Sequence, residues 1–73
     1  MSRERLTVKH IHEGKFAADV TITLRYDGTE WDPTIDRPDV EKLERVRLAL
    51  RRGDVVAAAK DAKVFELMLL AGE

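Results

Sequence analysis

Residues 16–26, FAADVTITLRY, alternate between apolar and polar with a period of two. Phe16, Ala18, Val20, Ile22, Leu24 and Tyr26 fall on one side; Ala17, Asp19, Thr21, Thr23 and Arg25 fall on the other. Only a strand, whose successive side chains leave on opposite faces, keeps such a set together. One face is then buried and one is wet, the pattern of an antiparallel sheet covered on a single side. A half-buried strand cannot stand alone, so its neighbours constrain everything else.

Glycine marks the turns to those neighbours. With a three-residue loop Glu13-Gly14-Lys15 and Gly14 at positive φ, Val8 lies opposite Val20, Leu6 opposite Ile22 and Lys9 opposite Asp19. A two-residue loop is disfavoured, because it is expected to set Val8 against Asp19. On the other side YDGT signals a hairpin through Asp27-Gly28, which pairs Arg25 with Glu30 and Leu24 with Trp31. Pro33 ends regular pairing or marks an edge strand. These residues form a three-stranded meander.

A helix follows. Asp36 is its expected N-cap, Pro38 lies in the first turn, and Asp39 completes a variant capping box. Val40, Leu43, Val46 and Leu50 form the apolar stripe, and Gly53 stops the helix. Asp54 caps a short second helix in VVAAAKDAK. Residues 64–70, VFELMLL, read as a last strand with Phe65, Leu67 and Leu69 inward. The expected fold is α+β, in the order β-β-β-α-α-β, a single small domain over residues 1–73 with both helices on one sheet face.

Composition narrows the functional classes. The 73 residues contain no cysteine, which removes disulfides and thiolate metal sites and fits a reducing, cytoplasmic setting. The N-terminal MSRERLTVKH is charged rather than apolar, and no stretch approaches the ~20 apolar residues of a membrane helix. The only serine is Ser2, no glycine-rich phosphate loop occurs, and carboxylates cluster in no stretch expected to exclude water. We therefore expect a protein that is not an enzyme and takes no cofactor.

Charge is dense and nearly balanced, with 13 basic against 14 acidic side chains. A phosphate-binding domain carries a clear basic excess, which this chain lacks. Four arginines nevertheless gather in LERVRLALRRGD. Arg47 and Arg51, one helical turn apart, and Arg52 at the helix end are the candidate anion or nucleic-acid contacts. Glu41 and Glu44 stand at helical spacing to neutralise part of this group.

The segment 27–44 holds seven acids against two bases, a local charge of −5. Asp27, Glu30, Asp32, Asp36, Glu41 and Glu44 form a candidate acidic rim that docks on a basic partner. Leu48 lies off the helix stripe, and Val64, Met68 and Leu70 fall on the face of the last strand expected to be wet. These four are a candidate oligomer or partner interface. His10 and His12 share one strand face, placed by the expected register on the core side near Ala18 and Phe16. They are weak metal candidates because no third ligand is evident.

The leading expectation is a non-catalytic protein–protein interaction module, a small prokaryotic or mobile-element inhibitor of antitoxin-like or anti-defence kind that masks a basic partner. A second is a nucleic-acid-binding or regulatory domain using the helix arginines. A third is a self-assembling structural protein, a homo-oligomer built through its last strand.

Overall fold

The computed structural model describes residues 3–26 and 33–68. The chain runs β1 (Arg3–Glu13), β2 (Phe16–Tyr26), β3 (Thr34–Ile35), α1 (Arg37–Arg51), α2 (Val55–Ala59) and β4 (Lys63–Glu66). This is the expected α+β order of three strands, two helices and a strand. β2 lies inside the sheet, with antiparallel β1 along one edge. β3 pairs with the far end of the other edge at Leu24 and Arg25. β4 pairs with the near end of that same edge at residues 16–19.

The β1–β2 turn is Gly14-Lys15, two residues long, with Glu13 opposite Phe16 and Gly14 at φ 59°. Glycine in the first of two turn positions supplies the positive φ that such a tight turn requires. The expected three-residue loop is therefore corrected, and the register moves by one residue. Lys9, not Val8, lies opposite Val20, and Thr7, not Leu6, lies opposite Ile22. A shift of one exchanges the two faces of a strand. Ile11 enters the core opposite Ala18, whereas Leu6, Val8, His10 and His12 belong to the other face.

Two further corrections concern pairing. Leu24 and Arg25 pair with Ile35 and Thr34 rather than with Trp31 and Glu30, which lie outside the described residues with the rest of the Asp27-Gly28 turn. The last strand joins β2, opposite Ala18 at Val64 and opposite Ala17 at Phe65. Val64 consequently packs against the core and Phe65 lies on the exposed face, the reverse of the expected orientation. The segment is apolar on both faces, so its pattern carried no parity; its partner strand decides.

α1 has the expected stripe, with Val46, Ala49 and Leu50 buried and Leu43 partly so, while Val40 is largely exposed. Its N-terminus differs from the expected capping box. Asp36 is the N-cap residue, yet its carboxylate makes no cap hydrogen bond and instead accepts from Arg25 Nη2 at 2.7 Å. The Asp39 carboxylate accepts the backbone N–H of Thr23 at 2.8 Å. Both acids thus serve the sheet. A carboxylate here stands in for the missing strand in the gap between β3 and β4, satisfying a donor that would be costly to leave unpaired.

The α1–α2 corner follows from two residues. Gly53, at φ 76°, donates to Leu50 O at 3.0 Å, and Asp54 N–H donates to Ala49 O at 2.8 Å. That pair of bonds is a Schellman motif, which closes the orphan carbonyls of the helix end. The Asp54 side chain then accepts from Ala57 N at 3.1 Å and caps α2 as expected. Ala49 on α1 and Ala58 on α2 are both buried, small enough to let the helices approach.

Ile11, Ala18, Val20, Ile22, Val46, Ala49, Leu50 and Ala58 form the core. All of it lies between the helices and one sheet face. Eleven-residue strands reach ~36 Å, whereas the fifteen residues of α1 span only ~22 Å. The helices therefore cover part of the hairpin. The radius of gyration is 14.9 Å, against about 11 Å for a compact chain of this length.

Two stability outcomes follow. Leu50→Ala should cost ~2–5 kcal/mol, most of what a domain of this size possesses, whereas Leu48→Ala should stay within about 0.5 kcal/mol; urea titration measures both. Asp39→Ala should lose about 1–3 kcal/mol and speed hydrogen exchange at the Thr23 amide. Asp39→Asn, which keeps an acceptor oxygen, should recover most of that loss.

Candidate interaction surfaces

The arginines of α1 are held by acids of the same chain. Arg51 donates to both Glu13 carboxylate oxygens, from Nε at 3.5 Å and Nη2 at 3.3 Å. Arg47 stands one turn earlier, 3.9 Å from the same carboxylate and 3.8 Å from Glu44. Glu13 ends β1, so two guanidiniums converge on the hairpin and tie the last turns of α1 to it. Arg52 faces Asp54 at 3.5 Å, and Arg45 donates to Asp61 at 3.2 Å. The hydrogen bond from Arg51 to Glu13, and then the carboxylate's charge, hold that guanidinium above its usual pKa. Asp61 does the same for Arg45.

The acidic rim is divided. Asp27, Glu30 and Asp32 lie outside the described residues. Asp36 pairs with Arg25 at 2.7 Å and Glu44 with Arg47 at 3.8 Å, while Asp39, in the same segment but not of the rim, faces Lys42 at 3.8 Å. Glu41 is exposed and has no ion pair among the described residues. Such exposed pairs contribute little to stability, about 0–1 kcal/mol each. They do reduce the field that a distant partner meets.

His10 and His12 sit on the helix-free face, not on the core side, because the register places both opposite residues of the wet set. His10 Nδ1 lies 2.5 Å from Asp19 Oδ1, its cross-strand neighbour. No group of three metal-ligating side chains occurs among the described residues. No helix among them is long and apolar enough to cross a membrane.

Of the four apolar interface candidates, Leu48 and Met68 are exposed, Met68 by 81 % beyond the end of β4. Val64 packs against the core, and Leu70 lies outside the described residues. The corrected register reveals a surface that the expected one concealed. Leu6 is 71 % exposed and Val8 47 % exposed, side by side on the helix-free face opposite Thr23 and Thr21. The His10–Asp19 pair separates them from Phe65, which flanks Ala17 at the other end of the same face. The signal for this surface is the parity conflict within β1, where Leu6 and Val8 are even-numbered and Ile11 is odd.

The Glu13 contact generates a measurable expectation. Glu13→Gln should unmask Arg51, leave Arg47 with Glu44 alone, and delay elution from a heparin column relative to the wild type. The accompanying stability change should be no more than about 1 kcal/mol. Unchanged elution would show that Glu13 does not mask these arginines.

No family model, curated protein or solved structure matches this chain.

Proposed function

We propose that the protein is a non-catalytic protein–protein interaction module, a small inhibitor of antitoxin-like or anti-defence kind that acts by occupying a partner's surface. The observation that carries this reading is the helix-free sheet face, where Leu6 and Val8 stand in water with the threonines of β2 beside them. Scattered exposed apolar residues are ordinary on any protein. Two neighbouring ones on a rigid strand, rimmed by Glu4, Arg25 and His10, have the anatomy of an interface centre.

Charge takes a supporting part. The described acids of the 27–44 segment mostly face bases of their own chain, so among them Glu41 is the one left to attract a basic partner. Charges at the rim of an interface steer association and set its salt dependence more than they hold the complex. The apolar face supplies the contact, and the rim supplies direction.

The test compares two double variants in pull-down from the native cell, followed by binding with the purified partner. Leu6→Asp with Val8→Asp should raise Kd by about tenfold or more while the strand signal in circular dichroism persists. Glu30→Lys with Asp32→Lys should mainly slow association and flatten its salt dependence. A folded sheet-face variant that binds like wild type would overturn the proposal.

A further inference from the structure

β1 is the terminal strand of the sheet, and among the described residues nothing pairs with its outer edge along its eleven residues. The direction of its free groups can be read from Thr23. That residue sends its N–H away from β1, to Asp39, so Thr23 and its partner Leu6 form a non-hydrogen-bonded pair. Leu6 must therefore turn its own N–H and C=O outward. Alternation extends this to Glu4, Val8, His10 and His12. None of the eleven residues is proline, and no helix covers the stretch carrying Leu6 and Val8. An edge of this length is a template for another strand.

We infer that its occupant is a second copy of this chain, paired antiparallel through β1 about a two-fold axis at Val8. Symmetry and charge select that register. An axis at Thr7 would oppose Arg5 to Lys9, and an axis at Lys9 would oppose two lysines; like charges directly opposite are unfavourable. With the axis at Val8 every residue of β1 finds a partner and no like charges meet. Val8 faces Val8, Thr7 faces Lys9, Leu6 faces His10, Arg5 faces Ile11, Glu4 faces His12, and Arg3 faces Glu13. The strand is self-complementary, as an isologous interface requires.

Pairing through β1 joins two hairpins into one continuous sheet and brings Leu6 and Val8 of both copies together on the helix-free face. This inference is independent of any third protein, although it would double the face assigned to partner binding above.

The chain's lack of cysteine makes the register directly testable. Paired Val8 residues have Cα atoms ~5.5 Å apart, within the span of a disulfide. Oxidised Val8→Cys should cross-link to a dimer, whereas Thr7→Cys and Lys9→Cys, whose copies are more than about 7 Å apart in this register, should not. Sedimentation of the unmodified protein should give twice 8.3 kDa. Val8→Pro, which removes an outward N–H and spares the bonds to β2, should return the mass to that of one chain. Preferential cross-linking at 7 or 9 would overturn the register. A single-chain mass throughout a concentration series would overturn self-pairing. A monomer that still binds a partner through Leu6 and Val8 would sink this inference alone; a dimer with no such partner would sink the preceding proposal alone.

Discussion

The Gly14-Lys15 turn sets the register on which the rest of the molecule depends. With Glu13 opposite Phe16, Ile11 reaches the core and the Glu13 carboxylate comes to rest beside α1, where Arg47 and Arg51 meet it. The same register exposes Leu6 and Val8 and brings His10 against Asp19. A turn one residue longer would exchange these faces, drawing Leu6 and Val8 under the helices and turning Ile11 out. Two residues at a bend thus decide which side of an eleven-residue strand another molecule can touch.

Charge in this chain is spent largely on itself. Asp36 and Asp39, at the start of α1, reach the sheet through Arg25 and the Thr23 amide, and Glu13, at the end of β1, reaches back to the end of α1. Together these contacts fasten the helix across the hairpin at both ends, around the core that Val20, Ile22, Val46 and Leu50 help to form. No buried side-chain polar atom is left without a partner among the described residues. Such contacts fix orientation more than they add stability, since most are exposed. Their effect on recognition is subtractive, because the basic and acidic clusters that stand out in the sequence are each largely paired with charges elsewhere in the chain.

The order of elements, the α1 stripe, the glycine stop and the Asp54 cap were legible because each rests on local periodicity or turn chemistry. The strand registers were not. β1 carries apolar residues of both parities, and the final segment is apolar on both faces, so counting hydrophobic residues gives no answer and the turn or the partner strand decides. Asp36 and Asp39 read as a local capping pair, but tertiary partners outcompete the helix N-terminus for their carboxylates. The arginines were legible as a cluster, yet Glu13 lies 38 residues from Arg51, and no local rule connects them.

β3 and β4 share one edge of β2, both antiparallel to it and both later in the chain. The hairpin and α1 leave a ribosome before β4 does, so for that interval residues 16–19 of β2 have no outer neighbour. Backbone groups left open on such a stretch are a place where another strand can add. Lys63–Glu66 closes it from within the same chain.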